Sequence, residues 1–372
     1  MSASVIFCAA ALALMLSPYV IIIGLCAVAV SRRSERGEEV RCGDRAATVS
    51  VIVCVSHEDE AELSKCVGTL SLALRDGDEA IFVADHAKPE TVRWLKETIS
   101  ARKGVRLVEN EGRKGKKMAQ AQGVALAKSR IVLCADADCA FGGGCVDAVR
   151  RAAPAKGGFL LLLPVMMEGN GGLWGAMVEM EFVCLQVVTA GSAIMGMPTM
   201  ANGAGMAFDR DLFASHDSKG GYASGDDMFL LLHAIHAGAD IRFLCRRDAL
   251  IRTSGPRGVG AYIRQRTRWL AKAGGYSSAG GSAVATLAII VFAAVMAWPV
   301  MAMLAVAGMA PWWLTAVAFA VKLFVDSATF AAGRGLWPSR ASVAAALPLE
   351  AIYPLMTIVV AIRAVLADKK RW

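Results

Sequence analysis

Two aspartates separated by one residue, Asp136 and Asp138, follow the apolar run Ile131-Val132-Leu133-Cys134-Ala135. Side chains two apart on an extended chain point to the same side, so both carboxylates can face one ligand. Two hard oxygen donors at a strand end suit Mg2+ or Mn2+ shared with a diphosphate, since Mg2+ is commonly held by one or two carboxylates plus phosphate oxygens. A solvated turn accounts for the same pair equally simply. A second acidic pair, Asp226-Asp227 after Ser224-Gly225, opens the apolar run Met228-Phe229-Leu230-Leu231-Leu232. One of the two can cap the helix, leaving the other to face a cleft as a general base. The loop Arg113-Lys114-Gly115-Lys116-Lys117 leads into a helix. Cations beside a helix N-terminus make either a diphosphate cradle or a solvated basic turn. No G-x-x-x-x-G-K-[ST] loop occurs. The stretch from Tyr262 to Leu270 carries Gln265, Arg266, Arg268 and Trp269, a composition that also fits an interfacial amphipathic helix.

These groups need a scaffold, and the pattern around them is α/β. Strands are expected over 49–55, 79–84, 105–109 and 130–134, with helices over 61–74, 91–102 and 118–128. That alternation argues for a parallel, nucleotide-binding type of sheet. Ligands of such sheets bind beyond the carboxyl ends of the strands, which singles out Glu58, Asp85, Lys116 and Asp136 by position. His233 and His236 read as helix-face residues. The ten cysteines include no C-x-x-C pair and read as buried thiols, without disulfides or structural zinc.

The remainder of the chain is apolar. The sequence is 56% hydrophobic and 19% charged, against roughly 45–50% and 25% for ordinary globular domains. Disordered, disulfide-stapled and freely soluble classes are thereby excluded. Residues 5–30 hold no charge and exceed the ~20 residues a spanning helix needs. They lack the basic n-region of a signal peptide and read as a retained anchor. The 49 residues between Lys272 and Lys322 are also uncharged and, broken by Gly308 and Pro311, read as two spans. Residues 343–366, carrying only Glu350 and Arg363, read as a fourth. Residues 174–200 read as a buried or interfacial segment, because crossing there would separate Asp136 from Asp227.

Lys322 and Asp326 are expected to neutralise each other within their span, while Glu350 has no partner in its own. Arg32, Arg33, Arg36, Arg41 and Arg45 follow the anchor, which places the middle of the chain in the cytoplasm. Four spans would then put the C-terminus outside, in conflict with Lys369-Lys370-Arg371 unless the last segment, with Pro348 and Pro354, is re-entrant. The net charge of +8 sits beside membrane segments or in one loop, so it reads as membrane seating and not as nucleic-acid binding.

In this order and approximate spacing, Asp85, Asp136-Ala137-Asp138, Asp226-Asp227 and Gln265-Arg266-Thr267-Arg268-Trp269 resemble the membrane-bound family 2 glycosyltransferases. That family includes cellulose, chitin and hyaluronan synthases and the ceramide glucosyltransferases. The resemblance spans about residues 46–275. It implies an α/β GT-A domain over 46–255, between an N-terminal transmembrane anchor at 1–31 and an interfacial helix with QxxRW at 256–281, then C-terminal transmembrane segments at 282–366.

The resemblance further implies inverting transfer from a nucleoside diphosphate sugar, a UDP-sugar by type, with Mg2+ or Mn2+. Glu58, Asp85 and Lys116 would contact the nucleotide, and Asp136 and Asp138 the metal and diphosphate. Asp227 would be the base, with Asp226 beside it, while Gln265, Arg268 and Trp269 would line the cleft near acceptor and diphosphate. Asn202 to Ala207 is similar to the acceptor-side segment. Ser56-His57-Glu58 stands where the family has Tyr-Asn-Glu, and Ala84-Asp85 where it has Asp-Asp. Few spans follow the domain, and no gating segment is visible over 273–281. The expected acceptor is therefore a lipid hydroxyl at the cytoplasmic face of an inner or plasma membrane. A processive polysaccharide synthase extending a growing glycan is the alternative, and a catalytically inactive membrane binding or transport protein a more distant one.

Overall fold

The computed structural model describes residues 3–36, 46–110, 112, 115–215, 225–272 and 281–367. Arg113, Lys114, Ser224, Arg41 and Arg45, the segment 273–280 and the Lys369-Lys370-Arg371 cluster lie outside the described residues.

The elements in chain order are α1 (Ala3–Arg36), β1 (Val49–Val55), α2 (Glu60–Ala73), β2 (Glu79–Ala84), α3 (Pro89–Ile99), β3 (Val105–Glu109), α4 (Lys116–Leu126) and β4 (Ile131–Asp136). There follow β5 (Ala140–Phe141), α5 (Cys145–Ala152), β6 (Phe159–Leu162), β7 (Val165–Glu168), α6 (Gly172–Ile194), β8 (Met206–Asp209) and α7 (Arg210–Ala214). The last are α8 (Asp226–His236), β9 (Asp240–Phe243), β10 (Ile251–Ser254), α9 (Val259–Leu270), α10 (Ser282–Val306), α11 (Trp312–Gly333) and α12 (Ala346–Leu366).

Strands β1 and β2 and nearly all of β4 are buried, which explains their continuous apolar runs. The main sheet has the order β3-β2-β1-β4-β8-β6-β9. Its first four strands are parallel, as the alternation predicts. The second half departs from that pattern, because β8 runs antiparallel to both β4 and β6. This strand enters beside β4 from the end where Asp136 lies, so the segment around Asn202 arrives next to the aspartates. A smaller sheet, β5-β10-β7, closes over the same end.

Helix α2 starts at a reciprocal cap, in which the Asp59 side chain accepts from Glu62 N–H and the Glu62 side chain accepts from Asp59 N–H. Helix α4 lies so close to the sheet that a Cβ at Gly123 would come within 2.5 Å of Ile52 and 3.1 Å of Val83.

Among the described residues five helices are long and apolar enough to cross a membrane: α1, α6, α10, α11 and α12. Helices α1, α10 and α11 share an apolar core that includes Leu12, Leu16, Ile23, Ala297, Met301, Leu314 and Ala318. Phe7, Leu14, Ile289 and Phe324 project outward, the pattern of a lipid-facing surface. Most of α6 is buried, in keeping with its reading as a buried segment. It joins the two halves of the molecule, since a Cβ at Gly191 would strike the Cys26 backbone of α1 at 2.5 Å.

Lys322 does bond Asp326, at 2.7 Å, but the expectation that Glu350 lacks a partner holds only within its own helix. Lys322 of α11 also donates to Glu350 of α12 at 3.0 Å, and the Tyr19 hydroxyl of α1 donates to Asp326. A buried charge seeks partners on neighbouring helices that sequence distance conceals.

Candidate active site

Asp85 follows β2 and is 3% exposed. Its carboxylate accepts from Asn110 Nδ2 at 2.9 Å and from the Gly115 N–H at 3.0 and 3.1 Å, with His86 Nδ1 at 3.2 Å. Burial alone would raise its pKa, but these donors, Gly115 first, hold it below the usual carboxylate range. Asp85 therefore fastens the loop that delivers α4. His86 adopts φ 56°, a left-handed conformation uncommon outside glycine. Glu58 instead folds back onto the end of β1, accepting from Ser56 N–H at 2.6 Å and His57 N–H at 3.0 Å.

Gly115, with φ 142°, precedes two lysines that start α4. Lys116 Nζ pairs with Asp136 Oδ1 at the end of β4, and Lys117 Nζ lies 3.6 Å from Asp226 Oδ1 at the start of α8. One helix terminus thus ties together the two acidic pairs found in the sequence. Burial opposes the charge of Lys116, yet the adjacent Asp136 keeps its ammonium above the ordinary lysine range.

Asp138 accepts from the Thr253 hydroxyl of β10 at 2.7 Å. Burial and then the neighbouring Asp136 push its carboxyl up. Two carboxylates on one strand end, with Asp136 opposing ionisation of Asp138, fit a divalent cation. Among the described residues no cluster of three or more His, Cys, Asp or Glu could hold a metal alone. The donor set suits an ion that completes its shell with phosphate oxygens and water.

Asp227 accepts from the Gly203 N–H at 3.1 Å through Oδ2 and from the Met228 N–H at 2.8 Å through Oδ1. Each oxygen retains a lone pair for a further donor. The Asn202 side chain, accepting from Ala204 N–H at 3.0 Å, shapes the turn that presents Gly203. Burial, offset by Lys117 and reinforced by Asp227, pushes the Asp226 carboxyl up.

Helix α9 carries Gln265, Arg268 and Trp269 on its last turns. Arg268 is exposed, while Gln265 and Trp269 are half-buried. The residue between them proves to be the anchor. Arg266 is 8% exposed, pairs with Glu181 of α6, donates to Gln265 Oε1 at 2.8 Å, and lies 4.2 Å from the Trp269 ring centre and 4.7 Å from that of Tyr262. Tyr262 and Tyr353 also donate to Glu181 Oε1, at 2.8 and 3.3 Å.

Sequence reasoning missed Glu181 and Thr253 as partners, because neither stands near the motif it supports. It placed Lys117 in the basic loop without its partner Asp226, and it missed Lys272. The latter is 7% exposed and senses the charges of Asp227, Arg268, Asp226 and Lys116. Its position four residues after Arg268 was the available signal.

A nucleotide-binding half-sheet, carboxylates at its carboxyl end and an antiparallel β8 beside them define a glycosyltransferase domain of the GT-A type. Comparison with known families agrees and goes further. The model for glycosyl transferase family group 2 matches residues 131–346, and that for glycosyl transferase family 2 matches residues 50–155. The chain belongs to the family 2 glycosyltransferases.

Among solved structures it is similar to the mannosyltransferase PcManGT from Pyrobaculum calidifontis in complex with GDP-Man and Mn2+. The identity is 17% and the TM-score 0.57, over 96% of this chain and 98% of that one. The likeness is one of fold. GalNAc-T7 with UDP, GalNAc and Mn2+ aligns at 16% identity over 56% of this chain and 43% of that one, with a TM-score of 0.43. S. aureus TarS 1–349 in complex with UDP-GlcNAc aligns at 13% over 60% and 66%, with a TM-score of 0.41. No curated protein sequence matches the chain.

Proposed function

We propose that the protein transfers a hexosyl group with inversion from a UDP-sugar to the hydroxyl of a membrane lipid at the cytoplasmic face. The observation that carries this reading is the junction at the start of α4, where Lys116 reaches Asp136 and Lys117 approaches Asp226. Donor-side and acceptor-side carboxylates thereby share one mouth. Asp136 and Asp138 would hold Mg2+ or Mn2+, which as a Lewis acid stabilises the charge gathering on the leaving diphosphate. The nucleoside diphosphate sugar and Mn2+ named for the Pyrobaculum enzyme support that donor and ion class.

Asp227 is the proposed base. Two backbone N–H groups fix its carboxylate while leaving a lone pair on each oxygen to accept the acceptor proton. The acceptor oxygen attacks the anomeric carbon opposite the diphosphate, so the new bond forms as the sugar–phosphate bond breaks and configuration inverts. Arg268, exposed on α9, supplies fixed positive charge to the departing group. The apolar helices packed on the domain support a bilayer-borne acceptor.

The test is transfer from labelled UDP- and GDP-sugars to mixed membrane lipids by the full chain in lipid nanodiscs. A lipid-soluble product carrying one or a few sugars is expected. Asp227→Asn should lower the rate by 100-fold or more, on the order of a lost general base, with UDP affinity unchanged. A high polymer as product, or full activity in the variant, overturns the reading.

A further inference from the structure

The polar cluster among the apolar helices has no part in glycosyl transfer as outlined above. It lines a cavity of about 80 Å3 where α1, α6, α10, α11 and α12 meet. A single water needs roughly 10–15 Å3, so the space admits a larger group. Ile23, Leu185, Val188 and Val291 form apolar walls, and Lys322, Asp326 and Glu350 stand together among them. Glu350 is 3% exposed. Its Oε2 accepts from Lys322 at 3.0 Å, whereas its Oε1 is buried and accepts no hydrogen bond among the described residues. A buried carboxylate oxygen without a donor is costly, and such groups ordinarily find a partner. Lys322 is shared with Asp326 at 2.7 Å, and the Tyr19 hydroxyl is given to Asp326 as well. The missing donor therefore has to come from the cavity. Acidic groups also outnumber basic ones there. Lys322 alone faces Asp326 and Glu350, while Glu181, which lines the same cavity, is matched by Arg266.

We propose that this cavity binds the polar end of an uncharged membrane lipid, whose hydroxyl or amide N–H donates to Glu350 Oε1. The surplus carboxylate repels a phosphate, which selects against lipid phosphates, and the apolar walls suit the adjoining chain. A donor to a carboxylate forms a charge-assisted hydrogen bond, which a low-dielectric surrounding strengthens. The cavity is also tied to the catalytic domain. Tyr353 lines it and donates to Glu181 at 3.3 Å, and Glu181 pairs with Arg266, which donates to Gln265. A lipid seated here is thereby linked to the helix that carries Gln265, Arg268 and Trp269. That this lipid is the sugar acceptor rests on the transfer reading; that the cavity binds it does not.

The experiment uses the full chain in lipid nanodiscs without any sugar donor. The probes are diacylglycerol and phosphatidic acid, each carrying a photoactivatable diazirine close to the glycerol, and peptide mapping locates the label. Diacylglycerol should label the segments 180–188, 291–295 and 346–353 about tenfold more than phosphatidic acid does, the scale of a hydrogen bond to a charged group. Glu350→Leu removes the accepting oxygen while Lys322 keeps Asp326, and Val291→Phe narrows the cavity with Glu350 intact. Each variant, checked by thermal melting, should lose about tenfold of the diacylglycerol labelling. Transfer from UDP- and GDP-sugars is measured separately. Its loss in both variants makes the bound lipid the acceptor; its retention overturns that identification and leaves the lipid site standing. Equal labelling by the two probes, no labelling of the wild type, or full labelling of a folded Glu350→Leu variant overturns the proposal.

Discussion

Asp85 shows how a single carboxylate can matter without standing at the reacting atoms. Its oxygens accept from Gly115 and Asn110 and meet His86, so we propose that its effect on the donor runs through the placement of Lys116, the next residue after Gly115. Asp85→Asn keeps the shape but replaces an acceptor-only group with one that carries its own donors. The variant should bind UDP about tenfold more weakly, since hydrogen bonds to a charged group contribute about 1.5–3 kcal/mol. Wild-type affinity by calorimetry would show that the loop is placed by other means. The pH sense follows from the depressed pKa. The clamp is fully present above the ordinary aspartate range and is lost only as pH falls through the lowered folded-state value. The position of Asp85 was legible as the end of a β-rich run. Its partners were not, because a backbone N–H such as that of Gly115 has no residue type to announce it.

At the scale of elements, α9 is held by one buried knot. Arg266 meets Glu181, which also accepts from Tyr262 and Tyr353, so helices α6, α9 and α12 converge on one carboxylate. Removing a single member of a buried pair strands the other charge, at a cost of about 3–5 kcal/mol. Glu181→Gln should therefore lower the melting temperature clearly and reduce transfer, because Gln265, Arg268 and Trp269 ride on the loosened helix. The double variant Glu181→Leu with Arg266→Met should regain much of the stability, since neither charge then remains buried. A Glu181→Gln protein that melts like the wild type would falsify the knot. The amphipathic character of α9 was visible in the spacing of its residues. Its anchor was not, because Glu181 and Arg266 are 85 positions apart and Glu181 sits in a segment dominated by apolar residues. The antiparallel β8 escaped for a related reason: a four-residue apolar strand carries no mark of its direction.

For the whole molecule, the contacts at the end of α11 decide how the chain is threaded. Arg247 of the catalytic domain donates to the carbonyls of Arg334 and Gly335, and Ser339 donates to Glu179 at 2.6 Å. The chain has thus returned to the domain's side before α12 begins. Helices α1, α10 and α11, which share one apolar core, are three candidate crossings. Helix α12 starts at the domain's side, contacts Lys322 through Glu350 and Glu181 through Tyr353, and packs chiefly along α9. On that packing we predict that α12 lies along the membrane face and does not cross it, although its length and apolarity would allow a span. That prediction agrees with the positive-inside rule, which assigns the sequence cluster Lys369-Lys370-Arg371 to the cytoplasm. It would also remove the conflict that four crossings create in the sequence. A reporter fused after Trp372, or a cysteine placed there and probed with a membrane-impermeant thiol reagent, should report the same side as the catalytic domain. Labelling from the opposite side would mean that α12 crosses, and that the basic tail is held against its electrostatic preference.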